Sequence, residues 1–172
     1  QLQEFYPFKN VLCFNKSGVF IRRWGLKVAW SKNLLFNARA ETLLKKHTFG
    51  PFLKSKCLIP ATAYFEWRQF GAHRIKNKIF LKHREMFGFA GVTNGETVII
   101  LTRESPPSIA HIHGRMPMIV PESAQKEWGD NNYPIRESID LIYVEPEVLI
   151  TEEDKHHMKY QRNLFSSQSI DN

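Results

Sequence analysis

"FGFAGVTNGETVIILTRE", residues 87–104, sets two apolar runs rich in β-branched and aromatic residues on either side of a short polar connection that carries a glycine. Such composition favours strands. Upstream, "GVFIRRWGL" (18–26), "KCLIPATAYFEWR" (56–68) and "KIFLKH" (78–83) have the same character, so the middle of the chain reads as a meander of strands. Helices flank it. "NARAETLLKKHTF" (37–49) holds Ala, Glu, Leu and Lys at helix-favouring density, and "PESAQKEWG" (121–129) has Pro near a helix start and Gly after its end. A last strand is expected around "DLIYVEP" (140–146). Strands grouped centrally with flanking helices define an α+β fold. No repeat or low-complexity block divides the chain, so one domain is expected over residues 1–150, followed by a polar tail over 151–172.

A chain of 172 residues can bury one ordinary core without staples. Lys and Arg number 24 against 17 Asp and Glu, a formal charge of +7 that favours a polyanionic partner or else describes a merely soluble basic surface. Only Cys13 and Cys57 are present, and neither lies in a CxxC, so a reduced, intracellular setting is the simpler expectation. The first residues lack a signal-peptide pattern and no apolar run reaches membrane length. The chain opens at Gln1 with no initiator methionine, so a further N-terminal segment is expected ahead of it.

Three stretches interrupt apolar surroundings with polar groups: "NARAET" (37–42), "YFEWR" (64–68) and "HIHGRMP" (111–117). Glu66 stands between Phe65 and Trp67, where desolvation would raise its pKa into a useful acid–base range; strand alternation alone would instead turn Glu66 to water and its neighbours to the core. His113 is followed by Gly114, which permits an unusual backbone angle, and by Pro117, which fixes the exit of the chain. It is either a proton-transfer group in a rigid loop or a loop histidine with no role, and Arg115 beside it offers a fork suited to phosphate. No zinc-ligand spacing joins His111, His113, His156, His157 and the cysteines, so no metal is expected. "GETVIIL" (95–101) lacks the pattern of a phosphate loop, and no GxSxG elbow is present.

Taken in order, "RRWGLKVAW", "FNARAET", "KCLIPATAYFEW", "FGFAGVT" and "IHGRMPMIVP" resemble the SRAP domain family, the SOS-response-associated peptidases that sense abasic sites in single-stranded DNA. The resemblance spans about 100 residues and is weaker before residue 20 and in the C-terminal quarter. It implies that the central sheet is strongly curved, mostly antiparallel and partly closed like a barrel. It also implies Asn37, Glu66 and His113 as the active-site residues, Arg39 and Arg115 as phosphate grips, and Trp24 and Trp67 as aromatic DNA contacts, though buried packing is the commoner fate of tryptophan.

The activity implied is a covalent trap. An N-terminal cysteine attacks the aldehyde of an abasic deoxyribose with its α-amine and then its thiol, and a thiazolidine links protein to DNA. Glu66 and His113 would move the protons while the uncharged head of Asn37 holds the reactants. An autopeptidase activity that exposes the cysteine is implied as well. No cofactor is implied; the expected partner is single-stranded DNA with abasic sites, the expected state a monomer off the membrane, and the expected location the cytoplasm, or the nucleoid in a bacterium. Two departures stand out. The family's opening Met-Cys-Gly-Arg is not in this sequence, which leaves either a segment ahead of Gln1 or a diverged, non-enzymatic single-strand-binding module. "ATAYFEW" also replaces the usual Asp-Gly pair before the aromatics, so the turn ahead of Glu66 is expected to differ.

Overall fold

The computed structural model describes residues 3–144 and 149–153. Its strands are β1 (Asn10–Asn15), β2 (Gly18–Trp24), β3 (Asn37–Arg39), β4 (Lys56–Ala61), β5 (Tyr64–Phe70), β6 (His73–Leu81), β7 (Phe87–Thr93), β8 (Thr97–Glu104), β9 (Arg115–Pro117), β10 (Ile119–Val120) and β11 (Leu149–Glu153). Four short helices, α1 (Ala40–Leu43), α2 (Pro107–Ala110), α3 (Gln125–Gly129) and α4 (Ile135–Ile142), join two 3₁₀ turns at His47–Phe52 and Glu122–Ala124.

The large sheet closes on itself. β7 pairs with β4, β4 with β1, β1 with β2, β2 with β8, and β8 again with β7, a five-stranded ring extended by β3, β9 and β10. Pairing is antiparallel except where β2 and β3 run parallel to β8. The fold is therefore α+β with a curved, mostly antiparallel and partly ring-like sheet. A second sheet, β5–β6–β11, packs against it.

Side-chain alternation divides the core between the two faces of the ring. Leu58, Ala90, Val92, Ile99 and Leu101 face outward onto Phe52, Trp128, Ile139 and Ile142 of the helical layer. Cys13, Cys57, Ile59, Phe89, Val98 and Ile100 face inward, where Tyr64, Ile79 and Ile109 cap them. So narrow a ring has no room for a side chain at every inward position. Gly91 sits opposite Cys57 on one side and Ile100 on the other, and a Cβ there would lie 2.9 Å from Cys57 Sγ and 3.0 Å from Ile59 Cδ1. Lys56 ties the helical layer to β4: its buried ammonium donates to Tyr133 O and Ser138 Oγ, both at 2.5 Å. Burial pulls its pKa down to about 8.

Two sequence expectations fail here. Residues 37–49 are not one helix, because Asn37–Arg39 hydrogen-bonds to β8 as a strand, α-helix is confined to Ala40–Leu43, and a separate 3₁₀ turn starts at His47. Helix propensity over this segment yields to an edge of β8 that needs a partner. Residues 140–142 end a helix rather than begin a strand: Ile135, Ser138, Ile139 and Ile142 recur at helical spacing and face the core. The final strand comes later, at Leu149–Glu153, and crosses the expected domain boundary at 150; residues 154–172 of the expected tail lie outside the described residues.

Gly91→Ala is expected to destabilise the fold by roughly 1–3 kcal/mol through overpacking. Urea denaturation reads this as a lower midpoint at an unchanged slope.

Candidate active site

The site begins with the orientation of β5. Tyr64, Glu66 and Arg68 share one face and Phe65 and Trp67 the other, with Ile79 and Asn77 opposite Tyr64 and Glu66. Tyr64 and Ile79 are buried, so Glu66 is on the inward face, contrary to the simple alternation that would place the aromatics inside. The reason lies on the other side. Lys76 lays its ammonium 4.1 Å from the Phe65 ring centroid and pairs with Glu4 at 2.8 Å, so Phe65 on the outer face is covered by a cation and the N-terminal segment.

Glu66 Oε2 lies 3.6 Å from His113 Nδ1; the carboxylate side chain is 24% exposed and the imidazole 49%. Burial pushes the Glu66 carboxyl above the ordinary range, against the opposing pull of His113 and of a backbone hydrogen bond from Trp67. His113 follows α2, anchored by buried Ile109 and Ile112 and by its own N–H, which donates to Ile109 O at 3.3 Å. Nδ1 is 2.7 Å from Arg115 O. A carbonyl oxygen only accepts, so this contact needs a proton on Nδ1, whereas the Arg115 N–H at 3.4 Å would need its lone pair; the shorter contact favours the Nδ1–H tautomer, which in the neutral ring leaves the lone pair on Nε2. Gly114 keeps a negative φ, so the loop does not use the unusual angle expected of it.

Arg115 is committed elsewhere than expected. Its two terminal nitrogens each meet a carboxylate oxygen of Glu41 at 2.9 Å, and Nη2 also donates to Thr102 O at 2.8 Å. Tyr143 adds its hydroxyl to Glu41 at 3.2 Å. Burial pulls the Glu41 carboxyl up, yet the donors around it, Arg115 first, hold it below the usual range. This clamp ties the start of α1 to the start of β9, so it joins the segment that carries Asn37 to the one that carries His113.

Asn37 and Arg39 point from β3 to the face of the ring that carries Ile100, whose cluster includes Tyr64, Ile112 and Met116, the neighbours of Glu66 and His113. Both are exposed. Asn37 makes no side-chain hydrogen bond to Glu66 or His113 among the described residues. Trp24 is half-buried; its indole N–H donates to Phe36 O at 2.9 Å and its ring meets Phe36 edge-on, which fixes the residue before Asn37. Trp67 is 36% exposed but lies on the face of β5 opposite Glu66. The structure thus pairs Glu66 with His113, sets Asn37 and Arg39 on the same side, and turns Trp67 away.

Sequence reasoning missed two groups. Glu41 and Tyr143 form the clamp, and only the acid inside "NARAET" hinted at it. Trp30 and Lys46 line, with Asn37 and Arg39, a groove of about 190 Å³; a tryptophan beside Ser31 and Lys32 in a loop was the available signal. Among the described residues no group of three His, Cys, Asp or Glu side chains is arranged to hold a metal ion.

The site thus combines a closed ring, a carboxylate on the capping strand β5 that faces a loop histidine, and a groove at β3 lined by Arg39 and Lys46. The family model of SOS response associated peptidase (SRAP) matches residues 11–152, and the chain belongs to that family. It is 33% identical over 142 residues to the abasic site processing protein YoaM of Bacillus subtilis, covering 71% of this chain and 63% of that protein. Against YedK of Escherichia coli, also called an abasic site processing protein, identity is 25% over 115 residues, covering 61% and 52%. The chain thus spans under two thirds of the length of these relatives. A crystal structure of a Bacteroides thetaiotaomicron protein superposes with a TM-score of 0.72 at 26% identity, covering 85% of this chain and 74% of that one. One from Bordetella bronchiseptica gives 0.73 at 20%, covering 87% and 85%, a likeness of fold.

The raised Glu66 pKa has a consequence for stability. Between the ordinary carboxyl pKa and the raised one, the folded state binds more protons than the unfolded, so stability falls as pH rises through that window. Glu66→Gln removes the buried charge and is expected to raise the melting temperature by a few degrees at pH 7, with the gain vanishing near pH 4; thermal scans at both pH values check it.

Proposed function

We propose that this domain captures abasic sites in single-stranded DNA through a covalent bond. The observation that carries the reading is the inward-facing, pKa-raised Glu66 at 3.6 Å from His113; a groove at β3 lined by Asn37, Arg39 and Lys46 supports it. The names of the relatives, all abasic site processing proteins, support it.

The chemistry starts from the ring-opened aldehyde of the abasic sugar. A neutral α-amine adds to the aldehyde carbon and water departs, giving an imine; a thiol on the same residue then adds to the imine carbon, and the nitrogen takes up a proton to complete a thiazolidine. No oxidant or reductant is needed. The departing oxygen needs a proton and the attacking amine must lose one. A carboxyl kept protonated above its usual range supplies the first, and the free Nε2 lone pair of His113 accepts the second. Asn37 holds the sugar or the amine with an uncharged amide, and Arg39 and Lys46 take the flanking phosphates.

The nucleophile must carry both a free α-amine and a thiol. Cys13 and Cys57 are fully buried, with their α-nitrogens in peptide bonds, so this reading assigns the role to a cysteine that begins the mature protein ahead of Gln1. Removal of a leader to expose that cysteine draws on the same acid–base pair, in keeping with the word peptidase in the family's description.

The test is a denaturing gel with an abasic oligonucleotide, run for the chain that starts at Gln1 and for a form with a free cysteine placed ahead of it. Only the cysteine form is expected to give a stable adduct, and Glu66→Gln in that form slows it by roughly two to four orders of magnitude with little change in DNA affinity. No adduct from the cysteine form would leave a non-enzymatic single-strand-binding module.

Binding itself is expected to weaken steeply between about 50 and 200 mM salt, and Arg39→Ala or Lys46→Ala to weaken it on every sequence alike. Fluorescence anisotropy across that salt range checks both.

A further inference from the structure

Strand β5 continues beyond Glu66. Side chains alternate along it, so Arg68 and Phe70 stand on the same face as Glu66, with Ile75 and His73 opposite them on β6. Burial falls steadily along this strip. Tyr64 and Ile79 are in the core, Glu66, Arg68 and Ile75 are half-buried, Phe70 is 62% exposed, and His73 opposite it is exposed as well. The strip therefore leaves the core, passes the acid–base pair and ends at a hairpin tip, where Gly71 at φ +57° makes the tight turn.

A large aromatic side chain presented to water at the end of a strip that begins in an active site calls for an occupant. The Arg68 guanidinium lies 5.6 Å from the Phe70 ring centroid, so a cation and an aromatic plane stand side by side. From strand geometry, Arg68 stands about 7 Å from Glu66 along the chain and Phe70 about 13 Å. From Trp67 to Arg84 the chain carries no acidic residue; Lys76 and Arg84 are paired with Glu4 and Glu122, and Lys78 stands opposite Glu152 of β11, so the basic residues toward the hairpin tip are Arg68 and Arg74. An acidic or apolar protein segment would use such a surface less fully than a strand with a phosphate and a flat base in each unit.

We propose that Arg68 and Phe70 seat the nucleotide next to the abasic sugar, with its phosphate on Arg68 and its base stacked on Phe70. This rests on the reading that Glu66 and His113 act on an abasic sugar, because that sugar sets the register of the strand on the strip. Stacking on Phe70 is indifferent to base identity, since every base has a π-face. The seat supplies affinity and register rather than sequence preference.

The experiment compares two single-stranded oligonucleotides by fluorescence anisotropy, using the chain that starts at Gln1. The first holds one tetrahydrofuran abasic analogue between ordinary nucleotides; in the second the nucleotides on both sides are tetrahydrofuran as well. Phe70→Ala is expected to weaken binding to the first by roughly tenfold and to leave the second unchanged, while Phe70→Trp retains affinity for both. Arg68→Gln is expected to weaken both and to lower the salt slope by about 0.7. Wild-type affinity of Phe70→Ala for the first oligonucleotide, or an equal loss on both, overturns the seat. If that happens while the cysteine-bearing form still crosslinks, the seat fails and the proposed function stands; a wild type that binds neither oligonucleotide overturns both.

Discussion

Strand β8 is hydrogen-bonded along both edges, and the rest of the molecule is arranged by that fact. On one edge β2 gives way to β3, on the other β7 gives way to β9. Pairing with β2 and β7 closes the ring, while pairing with β3 and β9 brings Asn37 opposite Ile100 and Arg115 opposite Glu104. Segments far apart in sequence are thus held at one end of a single strand, with spacing fixed by the pleat rather than by loop conformation. The Glu41–Arg115 fork then links β3 and β9 across β8, so both edge strands are pinned by backbone and side chain together.

The strands of the ring were legible because their signal is local. "FGFAGVT" and "TVIILTRE" carry their own β propensity, and the structure makes them the two strands that close the sheet. Asn37–Arg39 was not legible as a strand, since three residues of helix-favouring composition become extended only because an edge of β8 lies open beside them. Glu66 shows the same limit in another form. Alternation fixes that Glu66 and Trp67 face opposite ways, but which of the two faces the interior depends on Lys76 and Glu4, far off in sequence. The histidine loop was legible in composition, whereas the partner of Arg115 was not: "NARAET" shows a glutamate and "HGRMP" an arginine, and nothing local says they meet.

The two arginines singled out from the sequence differ in what surrounds them. Arg115 has both terminal nitrogens on a carboxylate and one also on a backbone carbonyl, so its charge is largely neutralised where it stands and its contribution is to geometry. Arg39 is exposed beside Lys46 and Trp30 and keeps its field for whatever enters the groove. The positive charge of these two arginines therefore divides into a structural share and a share that sets the field in the groove.

The inward face of the ring holds the sulfur atoms of both cysteines, Cys13 and Cys57, each with no exposed surface. The Cys57 thiol is pushed well up by its hydrogen-bonded neighbour Cys13 and by burial, so it stays protonated and inert at neutral pH. A maleimide or iodoacetamide probe applied to the folded domain therefore reaches neither Cys13 nor Cys57. In the chain that starts at Gln1, a single cysteine engineered on the surface becomes the one reactive attachment point for a fluorophore or spin label, without prior removal of Cys13 and Cys57.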